Sequence, residues 1–258
     1  MSTVLFEVKN NIARITLNRP DKFNAFNREM ALLLQKILDD CATDNSIRAI
    51  YLTGNGKAFC AGQDLGELVG ENPPGFEVIL AEHYNPIVTR IRAIEKPVVC
   101  AVNGVAAGAG ANIALACDVV VATASASFIQ AFSKIGLIPD SGGTFTLPRL
   151  IGFAKASALM MLGDKINATD AEKMGMIYKV IAEESFAEES FKIAATLSQM
   201  PTKGLAYTKA ALNASFNNSL EEQLNKEDEL QYKAAHTYDY NEGVKAFIEK
   251  RLPVFKGE

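Results

Sequence analysis

Residues 98–121 read VVCAVNGVAAGAGANIALACDVVV, and the rest of the chain can be read outward from them. The opening β-branched run, with Val98, Val99 and Val102, is apolar throughout and does not alternate, as expected of a strand buried on both faces. Asn103-Gly104 is a turn signal. Gly108 and Gly110 follow, and residues 111–117 form a small-residue helix that Asp118 ends before Val119-Val120-Val121 starts a second buried strand. Glycine and alanine let another group approach the backbone closely. Free N–H groups at a helix start, aligned with its dipole, suit negative charge. The stretch therefore reads either as an anion site built from main chain or as a helix kept small for tight packing. A dinucleotide fingerprint is absent, because Gly108-x-Gly110 runs on to Ile113 and no acidic residue follows about 20 residues later in a βαβ context. A Walker A loop is absent as well, since Gly54-Asn55-Gly56-Lys57 lacks its first half and its Ser/Thr.

Composition limits the chemistry. The chain has 258 residues, 48% hydrophobic and 22% charged, as in ordinary globular domains. A net charge of −4 without a Lys/Arg run argues against a nucleic-acid partner. The start, MSTVLFEVKN, has no signal pattern, and no apolar run approaches the ~20 residues that cross a bilayer. Cys41, Cys60, Cys100 and Cys117 are far apart without a C-x-x-C, which reads as reduced thiols in a cytoplasmic protein. With only His83 and His236, a histidine metal site or a Ser-His-Asp triad is not expected. Carboxylates and backbone remain.

Along the chain, residues 4–8 and 12–17 read as a hairpin turned by Asn10-Asn11. Asn27 caps a helix to about Leu38, and residues 47–52 form a strand. Residues 70–75, with Pro73-Pro74, read as a mobile loop. A helix follows over 76–94, with Pro86 predicting a kink or break. Phe128 and Phe132 flank a short turn, and residues 136–144 form a loop leading into a helix. Residues 159–162 and 168–174 are helical, and 177–181 form a short strand. Beyond Glu183 nearly everything is helical, with caps at Thr202 and Ser219. The charge cluster over 221–229 reads as a solvated helix face. Composition by itself gives an α/β protein.

AFCAGQDL (residues 58–65), residues 101–112 and residues 136–144 together resemble the crotonase, or enoyl-CoA hydratase/isomerase, superfamily. So do Leu17-Asn18-Arg19-Pro20 with Asn24-Ala25-Phe26, and the ending Ala246-Phe247-x-x-Lys250-Arg251-x-Pro253. The likeness spans essentially the whole chain. It implies an α/β spiral of β-β-α units over residues 1–200, which carry the active site, and a C-terminal helical trimerisation region over 201–258. It also implies a homotrimer or hexamer, no cofactor beyond the CoA of the substrate, no metal and no membrane. The anion becomes the enolate oxygen of an acyl-CoA thioester.

Carried over residue by residue, the oxyanion donors are the N–H groups of Ala61 and Ala109; most relatives have glycine at the latter. CoA is expected near Arg19, Phe23, Ala25, Ala58, Gln63 and Asp64, with Lys250 reaching a phosphate. The two glutamates that position water in the family's hydratases fall at Asn112 and Phe132, neither of which is an acid or base. Ordinary hydration is thereby rejected. Asp140 stands where several family isomerases place their catalytic acid, among Phe128, Phe132 and Leu137, whose apolar surroundings would raise its pKa. One carboxylate can move a proton between two carbons of a dienolate without water or metal. The likeness is greatest to isomerases that rearrange ring-epoxidised phenylacetyl-CoA to its oxepin and also shift enoyl-CoA double bonds. A fatty-acid Δ3,Δ2-enoyl-CoA isomerase uses the same parts. A non-catalytic acyl-CoA-binding or RNA-binding relative is the reading from another class.

Overall fold

The computed structural model describes residues 2–69 and 73–258. Strands β1 (Val4–Lys9) and β2 (Ile12–Leu17) pair antiparallel. Their turn is Asn10-Asn11, at φ 52° and 63°, a left-handed pair that asparagine tolerates and that matches the twist of the flanking strands. Helix α1 (Arg28–Thr43) starts where the Asn27 side chain accepts the Met30 N–H at 3.0 Å. It runs past Leu38 because its buried face continues through Cys41.

The next strands come in pairs: β3 (Ala49–Gly54) with β4 (Ala58–Cys60), β5 (Val98–Val102) with β6 (Val105–Ala107), and β7 (Val119–Thr123) with β8 (Ser127–Ile129). The first member of each pair joins a six-stranded sheet and the second a four-stranded sheet. Strands β9 (Lys165–Asn167) and β10 (Lys179–Ile181) complete the orders β1-β2-β3-β5-β7-β10 and β4-β6-β8-β9. Each coil of chain thus adds one strand to both sheets, and the coils stack in parallel. Strand β5 explains its own composition. Val98, Cys100 and Val102 enter the main core, while Val99 and Ala101 enter a second core with Tyr51, Val121 and Phe186. With both faces buried, no alternation is possible.

Between β4 and β5, α2 (Phe76–Val78) passes through a π-helical turn (Ile79–Tyr84) into α3 (Asn85–Ala93). At Pro86, where a kink or break is expected, the chain stays helical, and the regular α-helical ladder is interrupted by the π-helical turn that ends just before it. Of the expected mobile loop, residues 70–72 lie outside the described residues. The central helix, α4 (Ala109–Leu115), starts two residues before its expected position, directly at the Gly108 turn.

The remaining helices are α5 (Gly143–Ile151), α6 (Phe153–Leu162), α7 (Ala168–Lys173), α8 (Phe186–Ser198), α9 (Thr202–Ser215), α10 (Leu220–Ala235) and α11 (Tyr238–Ile248). Ser219 closes a full capping box with Glu222. Thr202 is not a cap: Pro201 holds that position, and the Thr202 hydroxyl accepts from Arg48 Nε at 3.0 Å. Arg48 also donates to the carbonyls of Met200 and Phe255, tying the C-terminal segment to the spiral.

Candidate active site

Two turns meet at the amino end of α4. Gly62, after β4, has φ 91°, and Gly108, after β6, has φ 53°. A Cβ on Gly62 would sit 3.0 Å from the Ala107 carbonyl oxygen and 3.5 Å from the Ala109 nitrogen, so glycine keeps the space before that nitrogen open. Ala109 is the first residue of α4, and its N–H precedes the helical ladder. A Cβ on Gly110 would lie 2.5 Å from the Cys60 carbonyl oxygen, which shows how tightly the helix seats on β4. The Cys60 thiol is pushed up to about 12 by burial and stays protonated.

The other expected donor needs correction. The Ala61 N–H donates to the Phe23 carbonyl at 3.0 Å and is not open. Around it, Phe26 N–H donates to Gly62 O at 2.7 Å and Asp64 N–H donates to Phe26 O at 2.8 Å. The Gln63 N–H, between these two bonds, has no partner among the described residues. Gln63 and Ala109 therefore present the open main-chain donors on the two turns.

Asp140 reaches α4 through its own backbone. Its carbonyl accepts Asn112 Nδ2 at 2.8 Å and the Gly143 N–H at 2.8 Å. Asn112, 1% exposed, is oriented in turn by Gln130 Nε2, 2.7 Å from its Oδ1. A Cβ on Gly143 would fall 2.4 Å from Asn112 Nδ2, so the loop can close on this asparagine only with glycine there. The Asp140 carboxyl accepts the Ser141 hydroxyl at 2.7 Å on Oδ1. Burial raises its pKa, the Ser141 bond pulls partly the other way, and no ion pair among the described residues reaches it. Of the aromatic groups expected nearby, Phe128 and Phe132 are buried, and a Cβ on Gly108 would meet the Phe132 ring at 3.7 Å. Leu137 is half-buried, its N–H bound to the Phe132 carbonyl at 3.0 Å.

Sequence reasoning treated Asn112 only as a missing acid, whereas here it clamps the Asp140 loop. Ser141, Gln130 and Tyr84 carried no expected role in the site. A signal for Ser141 existed in its place before Gly142-Gly143, since a polar residue ahead of paired glycines often takes a left-handed turn; it has φ 52°.

The residues expected to hold CoA lie beside β4. Arg19 pairs with Asp64 at 2.8 Å and donates to the Ala25 carbonyl at 2.5 Å. Asn24 Nδ2 reaches the Ala58 carbonyl at 2.8 Å. Phe23 exposes 54% of its surface above this cluster, at φ 49°. The guanidinium of Arg19 holds the Asp64 carboxyl below the usual range, so Asp64 acts first as a brace for the turn. No hydrogen bond or ion pair among the described residues joins the Lys250 side chain to this cluster. No group of three or more metal-ligating side chains exists among the described residues.

The stacked spiral with two backbone donors at its central helix defines a class, and comparison with known proteins gives its family. The enoyl-CoA hydratase/isomerase family model matches residues 7–258, and the chain belongs to that family. It is 44% identical over 261 residues to the 1,2-epoxyphenylacetyl-CoA isomerase of Escherichia coli, with 100% of both chains covered. It is 36% identical to the trans-2-decenoyl-[acyl-carrier-protein] isomerase of Streptococcus mutans, covering 99% of this chain and 98% of that protein. The crystal structure of an enoyl-CoA hydratase from Bacillus anthracis superposes with a TM-score of 0.92 at 33% identity, covering 99% and 100% of the two chains.

Proposed function

We propose that this enzyme is an acyl-CoA isomerase that moves a proton with one carboxylate, Asp140, under a main-chain oxyanion hole made by Gln63 and Ala109. The observation that carries the reading is the state of Asp140: burial raises its proton affinity, and no cation among the described residues neutralises it. The thioester oxygen accepts the two N–H groups. As Asp140 takes the α- or γ-proton, the C–H electron pair passes into the dienolate and charge collects on that oxygen. Each donor aimed at it is worth about 3–4 kcal/mol in a water-excluded site. The same carboxyl then returns the proton to the other carbon, so the double bond moves and nothing is added. In a ring-epoxidised phenylacetyl-CoA, the side-chain proton is lost to the same base and a ring carbon is reprotonated as the epoxide's carbon–carbon bond opens. The seven-membered oxepin results.

Identity to the epoxyphenylacetyl-CoA isomerase supports the aryl substrate, and the decenoyl relative's name supports double-bond transposition on the same parts. Asn112 and Phe132 supply no carboxylate to activate water. The assay compares ring-epoxidised phenylacetyl-CoA, a linear 3-enoyl-CoA and a linear 2-enoyl-CoA. Turnover of the first, with slower transposition of the second and poor hydration of the third, is expected. Efficient hydration overturns the reading. The reaction uses no cofactor beyond the substrate's own CoA. The assembly is a trimer or a pair of trimers, supported by the apolar C-terminal face at Leu212, Phe216, Leu220 and Leu224, extended by Phe247 and Leu252 at 85% and 88% exposed. Sedimentation as a monomer at assay concentration rejects that assembly.

A further inference from the structure

One buried hydroxyl near the site has no role in the proton transfer described above. Tyr84 is 1% exposed and stands at the end of the π-helical turn. Its hydroxyl donates to Gln63 Oε1 at 2.9 Å. Gln63 Nε2 donates to Glu67 Oε2 at 2.9 Å, and Glu67 Oε1 accepts the Arg28 N–H, the first of α1, at 2.9 Å. The direction of this chain is fixed by chemistry. The Glu67 carboxylate accepts on both oxygens, so the Gln63 amide must turn its NH₂ toward Glu67 and its oxygen toward Tyr84. Tyr84 then has to donate. The Tyr84 ring is held edge-on to Phe26, with centroids 5.9 Å apart, and Phe26 is the residue whose backbone brackets Gln63 on both sides. Side chain and main chain of Gln63 are thus restrained from independent directions.

We infer that Tyr84 is a positioning residue for the reaction: through the Gln63 side chain, with Glu67 as the opposite anchor, it aims the Gln63 N–H at the substrate oxygen. The inference rests on the oxyanion role proposed for Gln63. Ala109 needs no such support, because its N–H is fixed by the helix it starts. An N–H that follows a turn has no ladder behind it, and a small misplacement of a donor costs rate without costing binding.

The test is a double-mutant cycle of Tyr84→Phe and Gln63→Ala, read as kcat, KM and the rate of α-proton exchange with deuterated solvent. Tyr84→Phe should lower kcat and exchange about fivefold to tenfold, the size expected for one neutral hydrogen bond, with KM within about twofold. In the Gln63→Ala background the same change should move kcat by less than about twofold. An equal loss in both backgrounds would mean that Tyr84 acts without Gln63, and no loss in either would mean that it does not act; both overturn the inference. Should Tyr84→Phe melt early, Glu67→Ala loosens the same amide from its half-buried end. It should repeat the pattern, including its disappearance with Gln63→Ala, and independence from Gln63 again overturns the inference. The cycle is read on whichever acyl-CoA the wild type turns over, so a wrong acyl group leaves it standing. Additive mutants alongside an inactive Asp140→Asn would sink this inference and leave the isomerase reading intact.

Discussion

At the carboxyl end of α4, Arg92 donates to the Ala116 carbonyl at 3.1 Å, lies 3.5 Å from Asp118 and bonds Asn213. Lys209, buried there, donates to Asp118 at 2.8 Å and to the Ile91 carbonyl at 2.7 Å, while Asp118 also accepts the Val98 N–H at 2.8 Å. At the amino end of this short helix the groups are left open among the described residues: two N–H donors lack partners, and Asp140 has a hydroxyl but no cation. Asp118 and Asp140 are both half-buried. One end offsets the cost of burying charge with a counter-charge and carbonyls, and the other leaves that cost standing in the form of a carboxyl with raised proton affinity. Saturation marks the end that holds the fold together. Incompleteness marks the end where the chemistry is proposed.

Asp140→Asn tests this contrast with the largest expected effect. Loss of the base should lower kcat by about 10²–10⁴, with acyl-CoA binding little changed. The sign for stability is the opposite. A carboxyl whose pKa is raised by folding contributes fully below its unfolded value, and that contribution is lost as pH rises through the folded value. At neutral pH the wild type therefore carries a burial cost that asparagine lacks, and Asp140→Asn should melt higher; full activity or a lower melting temperature would break the comparison. At the other end, Lys209→Ala leaves the half-buried Asp118 with Arg92 as its remaining, longer partner. A loss of about 3–5 kcal/mol in denaturant unfolding is expected, with kcat of the folded fraction within about twofold. A kcat collapse without loss of stability would mean that the two ends are not separate.

The spiral's central coil was legible because its chemistry is local. Continuous burial of residues 98–102, the Asn103-Gly104 turn and the small residues of α4 follow one another in sequence, and the structure keeps them in that order. Likewise the Asn10-Asn11 turn and the Ser219 cap depend on near neighbours. What sequence missed comes from distant partners. Ala61 lost its assigned role to a carbonyl at Phe23, and Asn112 acquired one from a loop at Asp140. Local sequence marks the turn after β4, but only a hydrogen bond from another coil decides which N–H in that turn is free. Lys250 is the converse case: the ending of the chain singled it out, yet no hydrogen bond or ion pair links its side chain to Arg19 or Asp64.

Because Gln63 follows β4 and Ala109 follows β6, and these strands are parallel neighbours, the four-stranded sheet serves as a ruler for the site. Its unit is the strand repeat of about 4.8 Å, and two donors one repeat apart, each about 2.9 Å from a shared oxygen, would meet it at an angle of about 110°. That is close to the spread of lone pairs on a carbonyl turning into an enolate. The gauge is set by backbone pairing, so side chains lining the acyl group can be exchanged without recalibrating it. If the proposed thioester grip holds, the same gauge would suit relatives named for hydration and for isomerisation alike.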